Sequence, residues 1–222
     1  MEKTTRSTRK SRKPADDNIR KAYITYLLSN GKQPPSVFKF CKEEGITEEA
    51  FYNTAGSFEA LEGIIWKGFI DKTIAAVQAD SEYQSFKLRE RILTFYFALL
   101  EELKANRSFV LLTLKGDGHF DKVPALLHPF KKSFEAFIEN LVNEGKSTGE
   151  IAKRPYLDKS YPHLFWLHMV FILFFWIKDA SPGFEKTDAV VEKSVNLAFD
   201  LIGKGAVDSA IDFARFMYQS VK

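Results

Sequence analysis

Apolar residues recur at spacings of three and four along almost the whole chain, a pattern that predicts helices. No sustained alternation of apolar and polar residues, which would indicate strands, competes with it. We therefore predict an all-α protein. Capping residues, glycines and prolines set the predicted helix ends. The predicted helices cover about residues 16–30, 36–45, 47–53, 57–79, 85–104, 107–114, 123–144, 159–179, 187–203 and 206–219.

The chain has 222 residues and a single cysteine, Cys41. This length allows one large domain, or a small and a medium one. One cysteine excludes an internal disulfide and a multi-cysteine metal site, and it suits a reducing cytoplasm. The longest nearly apolar run, 164–177, is shorter than the ~20 residues that a membrane span needs. We expect a buried helix there, a cytoplasmic protein and no membrane partner.

The formal net charge of +3 is unevenly distributed along the chain. Residues 1–13, the basic arm, contain six basic residues against one acidic residue, so the rest of the chain is net negative. We predict a disordered arm that is either a solvated terminus or a segment that follows DNA phosphates or enters a minor groove. In the second case the expected DNA contacts of the arm are Arg6, Arg9, Lys10, Arg12 and Lys13.

Residues 36–52 have the pattern of a helix-turn-helix unit. A short amphipathic helix after Ser36 ends at Gly45, and Thr47 then caps a second short helix. Glycine permits the tight left-handed turn, and Ile46 fills the gap between the helices. The second helix is then free to present its outer face to a major groove.

Residues 17–71 resemble the N-terminal DNA-binding domain of TetR-family transcriptional regulators. The similarity is carried by Ile19, Ala22 and Tyr23, the Gly-Ile-Thr at 45–47, Phe51-Tyr52 and the Ser-Phe-Glu-Ala-Leu at 57–61. It implies an N-terminal three-helix headpiece (14–80) and a larger helical ligand-binding and dimerisation domain (81–222). It also implies a homodimer that binds operator DNA and responds to a small apolar ligand. The expected DNA contacts of the headpiece are Lys32, Ser36, Lys39, Thr47, Glu48, Tyr52 and Asn53.

The headpiece departs from this family in its charge. Glu48 and Glu49 begin the recognition helix, and Phe58 stands where the family has a phosphate-contacting lysine. Residues 14–80 hold seven basic and ten acidic side chains, so electrostatic attraction to DNA would come largely from the basic arm. These departures motivate an alternative: a TetR-fold protein that has lost DNA binding and binds lipid or isoprenoid, resembling the lipid-binding proteins of coenzyme Q biosynthesis.

Aromatic residues are abundant in the second half of the chain. We expect core packing first for most of them, although so many aromatics could also line an apolar cavity. We interpret His168 as a core or interface histidine. The second interpretation is a polar group that anchors a ligand in the pocket. The candidate pocket residues are Phe95, Leu99, Phe109, Phe130, Phe134, Phe137, His168 and Phe171. The candidate dimer-interface residues, on the last two long helices, are Trp166, Phe174, Trp176, Val195 and Phe199.

No motif for catalysis or for cofactor binding is present. The sequence lacks phosphate-binding glycine loops, a GxSxG motif and paired metal-ligand spacings, so we predict no enzyme activity, no metal and no cofactor. The apolar stripe of residues 206–219 is explained by packing on the core or dimer, with membrane-surface insertion as the alternative.

Overall fold

The computed structural model describes residues 12–114, 124–154 and 157–203. All regular structure in these ranges is helical, as the spacing of apolar residues predicts. The helices are α1 (Arg12–Asn30), α2 (Val37–Glu44), α3 (Glu48–Thr54), α4 (Phe58–Ala79), α5 (Ser81–Ser85), α6 (Leu88–Ala105), α7 (Arg107–Leu114), α8 (His128–Thr148), α9 (Tyr161–Lys178) and α10 (Glu185–Ile202), with short 3-10 turns at Ala125–Leu127 and Pro182–Phe184.

The described residues form two compact units. The smaller unit takes its residues from 1–68 and 106–129, and the larger one from 69–105 and 130–222. The division falls inside α4, after Gly68, whereas the sequence placed the domain boundary at residue 80. Helix α4 therefore belongs to both units. Because the chain is a continuous helix at this boundary, no linker or change of composition marks it in the sequence.

The smaller unit is built around α1. Ile19, Tyr23 and Leu27 recur every four residues and are buried, which places them on one face of that helix. The first part of α4 packs in the same unit as α7, where the indole nitrogen of Trp66 donates a hydrogen bond to Thr113 Oγ1 at 3.1 Å. Helix α7 thus belongs to the core of this unit, although the sequence assigned it to the second domain.

In the larger unit, both ends of α10 are fixed by buried charged side chains. The Asp179 carboxylate accepts hydrogen bonds from Ser181 and from the backbone and hydroxyl of Thr187, at 2.6–2.9 Å. These bonds hold the pKa of Asp179 well below its ordinary value. At the other end, the Arg154 guanidinium donates to the carbonyls of Leu201 and Gly203 at 3.0 and 2.9 Å. Helix α10 is therefore held at both termini.

The observed helices differ from the predicted ones in several places. Helix α1 begins at Arg12, so Arg12 and Lys13 of the basic arm are helical backbone. The short α5 was not predicted. Helix α8 continues through Gly145 to Thr148, where the sequence placed its end at Gly145. The predicted helix 206–219 lies outside the described residues.

Gly145 is a packing residue and not a helix stop. A Cβ at this position would collide with Leu88 Cδ2 and would lie only 3.1 Å from a side-chain carbon of Ile151. Both neighbours are buried. A larger residue here would force the buried side chains of Leu88 or Ile151 to shift, and a glycine at such a close approach looks like a helix terminator in sequence.

Candidate functional site

The helix-turn-helix unit is formed by local capping interactions. Ser36 Oγ accepts a hydrogen bond from the Lys39 amide at 3.2 Å, and Thr47 Oγ1 accepts one from the Ala50 amide at 3.1 Å. Gly45 between them is left-handed, with φ of 65°. These residues fix where α2 ends and α3 begins. The hydroxyls of Ser36 and Thr47 are thus already engaged in capping, and their contact with DNA stays a prediction.

Four aromatic rings form the core beneath this unit. Phe58 stacks on Tyr23 with ring centroids 5.3 Å apart, and its edge-on contacts with Phe40 and Phe51 are 5.7 and 5.4 Å. Phe58 is only 8% exposed. The position where the resemblance expects a phosphate-contacting lysine is therefore occupied by a core residue, and a lysine there would have to leave this cluster.

Phe38 faces outward on α2. It is 63% exposed, whereas Phe40 and Cys41 on the same helix are buried. The buried pair is consecutive, so the core side of this short helix is set by those two residues. Burial raises the pKa of the Cys41 thiol, which makes it a poor nucleophile.

Glu62 is a buried polar residue that the sequence analysis missed. Its carboxylate is 5% exposed and accepts hydrogen bonds from Tyr23 Oη at 2.6 Å and Gln33 Nε2 at 2.9 Å. Burial and this carboxylate raise the pKa of Tyr23. The interaction connects α1, the loop after it and α4 within the headpiece. The sequence signal for it is weak: Glu62 directly follows apolar Leu61 and lies about one helical turn before apolar Ile65.

The outward face of α3 is the candidate nucleic-acid interface. Glu48, Glu49 and Asn53 are exposed, and Tyr52 is 55% exposed. These side chains occupy a helix that is anchored from behind by buried Phe51. The face can therefore enter a groove without disturbing the core, and it carries negative charge at its first turn.

The cations predicted to contact DNA lie in different parts of the chain. Lys32 and Lys39 are exposed, and Lys39 Nζ lies 3.7 Å from a carboxylate oxygen of Glu43. Arg6, Arg9 and Lys10 lie outside the described residues, and only the backbone of Arg12 and Lys13 is described. The contacts of all these cations with DNA therefore stay predictions.

Most predicted pocket residues of the larger unit form a packed aromatic cluster. The ring centroids of Phe95 and Phe137 are 4.6 Å apart, and Phe134 lies 6.0 Å from Phe95 and 5.9 Å from Trp166. Phe130 also contacts Trp166, and Leu99 is fully buried. Phe109 is buried as well, but it belongs to the smaller unit.

His168 lies in a chain of hydrogen bonds across three helices. Its Nδ1 is 2.8 Å from Tyr96 Oη on α6, and its Nε2 is 2.7 Å from Ser194 Oγ on α10. Because Ser194 Oγ donates to the Val190 carbonyl at 2.6 Å, we assign the ring proton to Nε2, which leaves Nδ1 to accept from Tyr96. Burial lowers the pKa of His168 to about 4. The histidine is thus neutral and fixes α9 between α6 and α10.

The exposed apolar side chains of α9 and α10 form two stripes. On α9, Leu164, Leu167 and Phe171 are each about half exposed, and on α10 Leu197 and Leu201 are 59% and 51% exposed. Their spacing of three and four residues puts each set on one face of its helix. We name these five side chains the α9–α10 apolar face.

Most of the residues predicted for the dimer interface have little exposed surface. Trp166, Trp176, Val195 and Phe199 are buried within the chain, and Phe174 is half-buried. Phe171, predicted for the ligand pocket, lies on the α9–α10 apolar face. Helix α9 is apolar on nearly every side, so its sequence does not show which side chains face the core.

One helix in the described part of the chain, α9, is long and apolar enough to cross a membrane by length and composition, with mean hydropathy 1.3. Its middle residue His168 is hydrogen-bonded to two neighbouring helices. This bonding and the buried tryptophans are typical of the core helix of a globular unit. Among the described residues, no group of three or more His, Cys, Asp or Glu side chains could hold a metal ion.

The fold and the helix-turn-helix unit define an all-α protein with a DNA-binding-like headpiece and a second helical unit. The family model for the tetracyclin repressor-like C-terminal domain matches residues 91–217, which is more than half of the chain. The chain therefore belongs to the TetR family, whose members are transcriptional regulators.

Solved structures of TetR-family regulators share this fold. A regulator from Syntrophomonas wolfei aligns with a TM-score of 0.66 and 16% identity over 84% of this chain and 95% of its own. The fatty acid degradation regulator FadR from Bacillus halodurans aligns with a TM-score of 0.58 and 15% identity over 81% of this chain and 96% of its own. A regulator from Shewanella aligns with a TM-score of 0.55 and 16% identity, covering 83% and 95% of the two chains. No curated protein matches the sequence.

Proposed function

We propose that the protein is a homodimeric transcriptional regulator that binds operator DNA through α3 and the basic arm and responds to a small apolar ligand. The observation that carries the proposal is the capped helix-turn-helix unit, in which α3 is anchored by Phe51 and exposes Tyr52 and Asn53. Membership of the TetR family supports the same function.

The exposed face of α3 suits base recognition better than phosphate binding. Asn53 can hydrogen-bond to base edges, and the Glu48 carboxylate can accept from the amino group of cytosine. Carboxylates repel the DNA backbone, so the arm supplies the counter-charge through Arg6, Arg9 and Lys10. In this arrangement the recognition helix selects the sequence, and the arm contributes most of the affinity.

The α9–α10 apolar face is the proposed dimer contact. Its leucines and Phe171 are exposed in the single chain, and a two-fold axis would bury this face against the same face of the partner. Apolar surface of this kind is unfavourable in water and indicates an interaction site.

The larger unit is the proposed site of ligand response. The aromatic cluster around Phe95 and Phe134 is apolar, and Tyr96 and His168 border it with polar groups. A ligand that binds one packing of this cluster more tightly would shift the population toward that packing. Because α4 belongs to both units, such a shift has a continuous helix that connects it to the headpiece.

The lipid-binding alternative is not favoured by the family match or by the solved neighbours. One of its motives is Phe58 in place of a lysine, and this ring has a structural role in the headpiece core.

Selection from random duplex DNA with the full chain, followed by binding titrations on the enriched sequence, tests the proposal. Tyr52→Ala and Asn53→Ala should each weaken binding by about tenfold to a hundredfold, the range expected for removal of a specific contact. Asn140→Ala, at an exposed site on α8, is the matched control and should bind as the wild type does. Failure to enrich or retain any duplex at low salt would reject the DNA-binding role.

A further inference from the structure

The outward face of α3 combines carboxylates with an aromatic ring. Glu48 and Glu49 form no ion pair with any residue in the described ranges, and Tyr52 is 55% exposed. Arginine and lysine groups suit such a surface, because they pair with carboxylates and pack over aromatic rings. The face is therefore complementary to a basic segment of chain.

The basic arm joins the fold close to this face. Thr54, the last residue of α3, donates its hydroxyl to the Asp16 carboxylate at 2.8 Å. Asp16 lies one turn after Arg12, where α1 begins. Since α3 has seven residues and rises about 1.5 Å per residue, Glu48 and Glu49 lie within roughly 20 Å of the start of α1.

At full extension, residues 1–6 of the arm reach this distance. An extended chain spans about 3.3–3.6 Å per residue, so Arg9 and Lys10 start within about 10 Å of Arg12 and Arg6 within about 20 Å. The long side chains add further reach. The charges also match, because the arm is strongly basic while residues 14–80 carry an excess of acidic side chains.

We propose that, in the absence of DNA, residues 1–11 of the basic arm dock on the outward face of α3 and mask it. Exposed ion pairs are individually weak, but the covalent tether gives the arm a high effective concentration at this face. The contact goes beyond the proposed DNA binding, because it forms in the free protein and does not require that the protein bind DNA.

The carboxylates of Glu48 and Glu49 compete with DNA phosphates for the cations of the arm. A duplex presents a phosphate charge about every 1.7 Å along its axis, a far denser array than two glutamates. Phosphates therefore draw the arm away and uncover α3 in the same step. The docked arm is therefore an autoinhibitory contact. It covers α3 in the free protein and leaves it when nucleic acid is near.

Paramagnetic relaxation in the DNA-free full chain tests the contact. A nitroxide label is attached at Ser7→Cys, and Cys41 is left in place because burial protects its thiol. At about 0.01 M salt, where the screening length is roughly 30 Å, amide signals of α3 should weaken at least twofold. At about 1 M salt, where it is roughly 3 Å, they should recover.

Charge variants and mixed samples show whether the contact depends on the glutamates and forms within one chain. Glu48→Gln with Glu49→Gln should abolish the weakening of α3 signals, whereas Glu139→Gln with Glu192→Gln, at exposed sites of the larger unit, should retain it. Thermal unfolding of each variant checks that α3 stays folded. Signals that stay strong at low salt, or that stay weakened at high salt or in the Glu48/Glu49 variant, overturn the proposal. So does weakening that appears only between labelled and unlabelled copies. DNA binding is measured separately, so its failure would not affect this result.

Discussion

Acid should destabilise the protein through His168. The imidazole is held neutral between Tyr96 and Ser194, and burial lowers its pKa to about 4 from an ordinary value of about 6.5. A histidine with a lowered pKa binds its proton more readily in the unfolded chain. The stabilisation is therefore complete above about pH 6.5 and is lost progressively as the pH falls toward 4.

The size of the effect follows from the two pKa values. At pH 5 the unfolded chain gains a proton at this residue and the folded protein does not, which lowers the free energy of unfolding by about 2 kcal/mol relative to pH 7. Protonation in place is opposed because Nδ1 would become a donor facing the Tyr96 hydroxyl. Tyr96 would then have to turn its own proton toward the Phe165 carbonyl, 3.5 Å away.

Urea unfolding of the wild type and of His168→Gln at pH 7 and pH 5 measures this contribution. The difference in free energy of unfolding between the two proteins should shrink by about 2 kcal/mol between pH 7 and pH 5, because only the wild type carries the titrating group. His163→Gln is the matched control on the same helix, since His163 is exposed and lies 3.7 Å from Glu135. The reasoning is refuted if His168→Gln and the wild type lose stability in parallel.

Four further predictions address packing, assembly and charge. Gly145→Ala should lower the free energy of unfolding by about 1–3 kcal/mol, despite the better helix propensity of alanine, because the added methyl group overpacks a buried contact; thermal and urea unfolding measure it. Phe58→Lys, which restores the lysine expected from the resemblance, should cost about 3–5 kcal/mol and should unfold the headpiece before it improves DNA binding. Leu197→Glu should raise the dimer dissociation constant at least tenfold in sedimentation and leave monomer stability within about 0.5 kcal/mol. Deletion of residues 1–11 should weaken DNA binding and reduce the slope of log K against log salt by about 0.9 for each phosphate that the arm neutralises, whereas an unchanged slope would show that the headpiece binds phosphates without the arm.

Local signals in the sequence predicted the helix-turn-helix unit closely. Ser36, Gly45 and Thr47 act on the backbone within a few residues of themselves, so their effect can be read from the sequence. The predicted bounds of α3 and α4 were accurate to within one residue at most ends for the same reason.

Features that depend on tertiary neighbours could not be predicted in this way. Gly145 looks like a helix stop because its neighbours Leu88 and Ile151 are distant in sequence or lie past the apparent helix end. The apolar sequence of α9 gives no contrast between a core face and a surface face, so it does not show that Trp166 is buried and Phe171 exposed. A helix that is apolar on all sides has no periodic signal.

The charges of the headpiece explain why the basic arm is needed for the proposed function. Of its cations, Arg20 is paired with Asp17 and Lys39 lies near Glu43, so both are partly neutralised within the fold. Helix α3 adds the exposed carboxylates of Glu48 and Glu49 to the headpiece. Attraction to DNA and selection of sequence are thus assigned to different segments, the first to a basic arm and the second to α3. Salt screens the attraction between the arm and the phosphates far more than it weakens hydrogen bonds to bases. Raising the salt concentration should therefore reduce the affinity for DNA while the preference for the selected sequence increases.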